Sequence, residues 1–341
     1  MKGFNLKQTL CCLLVWGVFF SSQSQPAGFA VSDFQAPDSI ASHYFGHAID
    51  DLRQLSYKLT GSLTTDLEKF RAIYKWVCDN VANDYGLYAR NKHMRERFHE
   101  QPVKLKEWNK KFHSKVVDKL VKEQKTVCTG YAYLIKDLAY HAHITCEVVD
   151  GYGRTAHANI GGEGIPNHSW NAVRIDNKWY LCDATWSSGS VDPTGSGFIR
   201  SFSEAYFLTD PDQFIQNHYP LDRQWMLLED PPTLTAFLNG PLIYKSALAY
   251  GIVPVSPDVF KPKVKKGETL TFRFASEKEL QGLEVKVDDT SGSMDTFQPD
   301  VYRDKKGHYC IDYVFSSKGA YDVHFLKSGE YLATYAVTSV K

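Results

Sequence analysis

Three segments in the middle of the chain constrain its fold more than anything else in the sequence. Val127-Cys128-Thr129-Gly130-Tyr131-Ala132 opens a helical run with a cysteine at its start. His168-Ser169-Trp170-Asn171-Ala172-Val173-Arg174-Ile175 reads as a strand, and Trp179-Tyr180-Leu181-Cys182-Asp183-Ala184-Thr185-Trp186 as a second strand ending in a turn. Asp176-Asn177 between the two strands is a hairpin signal. Folding about that turn leaves His168 and Asp183 within about one register step of each other.

These residue types in this order suit thiolate chemistry on an acyl group. A free thiol titrates near ~8.5 and is mostly protonated at neutral pH. The first turn of a helix favours an anion, and an imidazolium beside it favours the thiolate further. An acid on the far side of the ring fixes its tautomer and stabilises its cation. Cys128, His168 and Asp183 are therefore the candidate catalytic residues. Trp170 and Trp186 are candidate site-lining groups that exclude water, and Gln124, four residues before Cys128, is a candidate oxyanion donor. Taken singly, each also suits a structural role: a buried thiol, a hydrogen-bonded strand histidine, a capping aspartate, a surface glutamine at a helix start. The ordered set is what points to a site.

The rest of the pattern is α+β. Residues 39–78 are helical in periodicity, with Thr64-Thr65-Asp66-Leu67-Glu68 as a capping signature before Phe70, Ile73, Tyr74 and Val77. A basic helical run covers 103–122 and a third helix 128–141. Strands are expected at 144–150, 169–175 and 178–184. The helix that carries Cys128 is thus expected to pack on an antiparallel sheet. Asp230-Pro231-Pro232 and the proline-rich 254–262 region mark a linker, 231–262. Beyond it, short strands at 269–274, 283–287, 309–315, 321–326 and 331–337, with turn signals between, suggest a small Ig-like β-sandwich over 263–341.

The N-terminus reads as a secretory signal over residues 1–25: Lys2 and Lys7, an 11-residue apolar run from Leu10 to Phe20, then a polar run to Gln25. That apolar run is too short to span a bilayer as a helix, and no later segment is long and apolar enough to do so. A secreted or periplasmic protein with a catalytic region over 26–230 is the expectation. Removing the leader takes Lys2 and Lys7 with it and leaves 37 basic against 39 acidic residues. A near-neutral chain of this kind is not built for nucleic acid. The lysine-rich stretch 104–125 reads as a solvated helix face, with a docking surface for an acidic polymer as the sharper alternative. Five cysteines remain: Cys78, Cys128, Cys146, Cys182 and Cys310. They contain no Cys-x-x-Cys and match no zinc spacing, and no acidic cluster has calcium-ligand spacing, so no metal or cofactor is expected. A Cys146–Cys182 bridge requires their strands to be neighbours; buried free thiols are the alternative.

The segment from about Lys69 to Trp186 resembles the transglutaminase-like superfamily of papain-type folds. The matching pieces are the three segments above, with Ile73-Tyr74-Lys75-Trp76-Val77 and Asn83-Asp84-Tyr85 upstream. Tyr206-Phe207-Leu208-Thr209-Asp210-Pro211, His218-Tyr219-Pro220 and Trp225-Met226-Leu227-Leu228 resemble the branch related to kyphoscoliosis peptidase. The resemblance implies a papain/transglutaminase-like core with Cys128 as nucleophile, His168 as base and Asp183 as its orienting acid. It also implies a protein or peptide substrate. The chain departs from that pattern in its lysine-rich insert and in the Gly161-Gly162-Glu163-Gly164 loop, which reads either as a turn or as a mobile flap. The expectation for function is a secreted cysteine-dependent peptidase or amidase working through an acyl-enzyme. A glutamine crosslinking transferase or a binding module that retains the fold are the alternatives. Oligomeric state is left open by the sequence.

Overall fold

The computed structural model describes residues 34–192, 197–289, 292 and 294–341. The expected leader, 1–25, lies outside them. Seven helices belong to the N-terminal part: α1 (Gln35–His43), α2 (Leu52–Thr60), α3 (Asp66–Asn80), α4 (Tyr85–Phe98), α5 (Pro102–Glu123), α6 (Cys128–His141) and α7 (Ala184–Ser188). The expected cap of α3 is a full capping box. The Thr65 hydroxyl accepts from Glu68 N at 3.2 Å, while the Glu68 carboxylate accepts from Thr65 N at 3.0 Å. Helix α4 was not legible in the sequence for a physical reason: it has no fully buried residue, so it carries no apolar stripe. Asp84 starts it, accepting from Leu87 N at 2.7 Å and pairing with Lys119 of α5.

The strands β1 (Ala82–Asn83) and β2 (Lys125–Thr126) form a short parallel ladder directly before α6. The main sheet then contains β3 (Cys146–Gly153), β4 (His168–Ile175) and β5 (Lys178–Cys182). A small hairpin of β6 (Gly189–Val191) and β7 (Phe198–Arg200) follows, then the short helix α8 (Pro211–Phe214) and β8 (His218–Pro220). The main sheet runs β5-β4-β3-β8, antiparallel throughout. Asp176 and Asn177 both take positive φ, 49° and 65°, as a tight hairpin between β4 and β5 requires.

Helix α6 packs on β4 and β3. Strand β4 is buried on both faces, with Arg174 its one exposed residue, so its polar residues His168, Ser169 and Asn171 are buried as well. Val173 and Ile175 face the helices with Phe70, Tyr74, Trp76 and Leu138. Trp170 and Ala172, the alternate set, face Tyr206, Phe214 and the interior of the C-terminal part. Cys146 and Cys182 lie on β3 and at the end of β5, and β4 runs between those strands. The condition for a bridge therefore fails, and both are buried free thiols.

The stretch expected as a linker, 231–262, is folded. It holds α9 (Leu234–Asn239), β9 (Leu242–Ile243), α10 (Lys245–Tyr250) and β10 (Ile252–Ser256). Pro254 is tolerated because β10 is an edge strand: it pairs only with the strand Thr269–Ser276, and its register shifts at Pro254. The remaining strands are β11 (Lys263–Lys265), β12 (Thr269–Ser276), β13 (Leu283–Asp289), β14 (Met294–Phe297), β15 (Tyr302–Arg303), β16 (Tyr309–Val314), β17 (Gly319–Lys327) and β18 (Glu330–Val340). One sheet runs β10-β12-β16-β15 and the other β11-β18-β17-β13-β14, with β9 added on β18. Their inner faces meet through Phe272 and Phe325, whose ring centroids are 5.0 Å apart, and Phe274 and Phe325 at 4.8 Å. The C-terminal part is therefore a β-sandwich. Arg154, at the end of β3, is buried and donates to the carbonyls of Phe237, Gly240 and Gln216, which ties α9 to the main sheet. Among the described residues, no helix is long and apolar enough to cross a membrane.

Candidate active site

Cys128 is the first residue of α6, placed there by the β1–β2 ladder. Val127 caps the helix without a side-chain hydrogen bond, and the Gly130 N–H turns back to the Val127 carbonyl at 2.8 Å. The helix start needs Gly130: a Cβ there would overlap the Thr126 side chain. Burial pushes the Cys128 thiol up. A hydrogen bond to His168, the charge on that ring, the Arg95 guanidinium and the Ser169 N–H together outweigh burial, and the thiol titrates below its ordinary range.

His168 begins β4 and is 7% exposed. Its Nε2 lies 2.7 Å from Asp183 Oδ2, which leaves Nδ1 for the sulfur. Burial alone would lower the ring's pKa; the Asp183 charge and hydrogen bond and the Cys128 contact raise it to about 10. Gly153 makes room for the ring, since a Cβ there would stand 2.9 Å from His168 Cβ. Asp183, 1% exposed, is the N-cap of α7. Its Oδ1 accepts from Thr185 N at 2.8 Å and Trp186 N at 3.2 Å. Burial works against its ionisation, but the His168 charge and the two histidine hydrogen bonds hold it below the usual carboxylate range.

A second histidine completes the group. His218 on β8 is 1% exposed, with Nε2 3.1 Å from the same Asp183 Oδ2. Burial first, and repulsion from His168 in addition, push it down to about 4, so it is neutral at neutral pH. Its Nδ1 lies 2.6 Å from the Asn217 side-chain amide, which also contacts the Tyr206 hydroxyl at 3.1 Å. Asn217 presents its Oδ1 to that ring nitrogen and donates from Nδ2 to the Tyr206 hydroxyl. The ligand atoms of His168, Asp183 and His218 lie within 4.8 Å of one another. Both rings sit at hydrogen-bond distance from one oxygen, and this set reads as a proton-sharing group rather than a metal cage.

Residues 53–184 match the model of the transglutaminase-like superfamily. This region is a transglutaminase-like domain. Its curated relatives include kyphoscoliosis peptidase of Mus musculus, 32% identical over 219 residues, 64% of this chain and 30% of that protein. The Homo sapiens protein of that name is 30% identical over 242 residues, 70% of this chain and 33% of its own length. Hillarin of Drosophila melanogaster is 27% identical over 233 residues, 64% of this chain and 26% of its own length. The chain spans about a third of the length of the curated relatives it matches.

The other residues singled out in the sequence fall differently. Trp186 stacks on the His168 ring at 4.7 Å and 23° and touches His218 at 4.4 Å. Trp170 is buried behind the site, edge-on to His218 at 5.0 Å. Gln124 is not brought to the thiol. It ends α5 in a left-handed conformation, φ 52°, and its amide donates to the His47 carbonyl at 2.6 Å. The short β2 strand between it and Cys128 carries the chain away from that position. His218 was missed in the sequence because 35 residues separate it from Asp183 and no local period joins them. Its run, His218-Tyr219-Pro220, stood only in the family resemblance.

A cleft of about 500 Å³ opens beside Cys128. Helix α4 forms one wall, through Tyr88, Asn91 and Arg95, and the 157–167 loop forms the other. Of the two departures from the family pattern, the Gly161-Gly162-Glu163-Gly164 loop borders this cleft, whereas the lysine-rich run 104–125 lies along α5 into β2 and does not line it. The loop turns at Gly161 and Gly162, both at positive φ, and Asn159 ties it to β3 by donating to Gly153 O at 2.9 Å.

Proposed function

We propose that the protein is an exported cysteine-dependent amide hydrolase, a peptidase or amidase acting through an acyl-enzyme on Cys128. The buried hydrogen bond between His168 Nε2 and Asp183 Oδ2, with Cys128 at the start of α6 on the cleft, is the observation that carries this reading. The thiolate attacks the substrate carbonyl carbon and a C–S bond forms. The oxyanion is met by N–H groups at the start of α6. His168 gives its proton to the leaving amine as the C–N bond breaks. It then takes a proton from water, whose oxygen displaces the sulfur and releases the acid. Asp183 keeps the ring oriented and charged, and Trp186 over its face excludes water from the ion pair.

The test is incubation with casein-like and glutamine-containing peptides, with and without a primary amine. New amino termini or released ammonia, lost in Cys128→Ala, support hydrolysis. Incorporation of the amine would move the assignment to a crosslinking transferase. Identical behaviour of wild type and Cys128→Ala would leave a binding module.

A further inference from the structure

Among the described residues, Arg71, Arg154 and Arg200 each make three or more hydrogen bonds, although the Arg154 Nε is left without a partner. Arg71 lies between Asp38, at 2.6 and 2.8 Å, and Glu204, at 2.5 and 2.6 Å. Arg154 and Arg200 each donate to three backbone carbonyls. Arg95 differs from them. It projects from α4 into the cleft that holds Cys128, half-buried. One Nη donates to the Pro166 carbonyl at 2.7 Å, which braces the guanidinium against the opposite wall. Its Nε is buried with no hydrogen-bond partner, and no carboxylate comes within ion-pair distance among the described residues. The acids on the cleft lining, Glu96 and Glu163, are exposed at its rim. A partly desolvated guanidinium without a carboxylate partner is costly, and its planar fork matches one.

We propose that the cleft selects acyl substrates bearing a carboxylate near the scissile bond, such as peptides with an acidic side chain there, and that Arg95 is the residue that recognises it. This deepens the reading of Cys128 as nucleophile and rests on it. Lys92, half-buried on the same wall, adds to the positive field.

The experiment compares alkylation of Cys128 in the full chain by anionic iodoacetate and neutral iodoacetamide, read by mass spectrometry. Thiolate content affects both reagents alike, so their rate ratio isolates anion recognition. Arg95→Gln should lower the ratio about ten-fold, the size of one charge-assisted hydrogen bond. Arg95→Lys should retain part of it. Lys122→Gln, an exposed lysine of α5 outside the cleft, removes the same charge and should leave the ratio unchanged. In the wild type, glutarate should slow iodoacetamide saturably and glutaramide should not, a measurement that needs no variant. An unchanged ratio in Arg95→Gln, an equal fall in Lys122→Gln, or equal protection by glutarate and glutaramide overturns the proposal. Slow reaction with both reagents but an Arg95-dependent ratio would sink the nucleophile and leave the carboxylate site standing.

Discussion

His168 and His218 meet at a single oxygen: Asp183 Oδ2 lies 2.7 Å from one ring and 3.1 Å from the other. The two rings carry opposite shifts, His168 up to about 10 and His218 down to about 4. One buried carboxylate supports one cation, and the ring that also faces the thiol takes it. His218 then serves as a neutral partner that holds the carboxylate in place. His218→Gln should lower kcat/KM by about ten-fold, consistent with the loss of one hydrogen bond to a buried charge. Steady-state kinetics on whichever substrate is found checks this; a variant with wild-type kcat/KM would remove His218 from the positioning group.

The same shifts set a stability profile. His218 is depressed in the folded state, so it favours folding above its unfolded value near ~6.5 and that contribution is lost as pH falls toward 4. His168 is raised, so its contribution is present below ~6.5 and is lost as pH rises toward 10. Asp183 is depressed and loses its contribution only at the acid extreme. Urea unfolding across pH 4 to 10 should show a maximum near pH 6.5, with the acid side flattened in His218→Gln. A wild-type slope in that variant would show that His218 does not change its protonation on unfolding.

The thiolate should form below the ordinary thiol range because His168 stays cationic through neutral pH. Iodoacetamide should label Cys128 about ten-fold or more faster than glutathione at about pH 6. Turnover should fall again near pH 10, as the imidazolium that protonates the leaving group is lost. Labelling that tracks an ordinary thiol from pH 6 to 9 would exclude the ion pair. Asp183→Asn keeps the cap to α7 but removes the charge. It should cost about a thousand-fold in kcat and move the labelling profile upward in pH.

Much of this is legible in the sequence. The α3 cap, the α6 start, the Asp176-Asn177 hairpin and the alternating strands of the sandwich are local patterns, and local patterns fix local structure. Cys128, His168 and Asp183 could be joined because a hairpin converts sequence distance into spatial distance. Three features lacked such a signal. Helix α4 has no fully buried residue, so periodicity is silent there. His218 reaches Asp183 through a strand on the opposite edge of the sheet, next to β3. The 231–262 stretch has the composition of a linker, yet it pairs as edge strands, where proline is tolerated.

Gln124 gives the sharpest check on where the oxyanion is held. Its side chain donates to His47 O at 2.6 Å, a fold contact between α5 and the segment before α2. Gln124→Ala should cost about 1 kcal/mol of stability, the net worth of one hydrogen bond. It should leave kcat and the iodoacetamide rate within about two-fold of wild type once measured below the unfolding transition. A loss of a hundred-fold or more in kcat at full stability would return Gln124 to the reaction centre, since that is the effect of removing an oxyanion donor. The N–H groups of the α6 first turn would then no longer suffice as the oxyanion site.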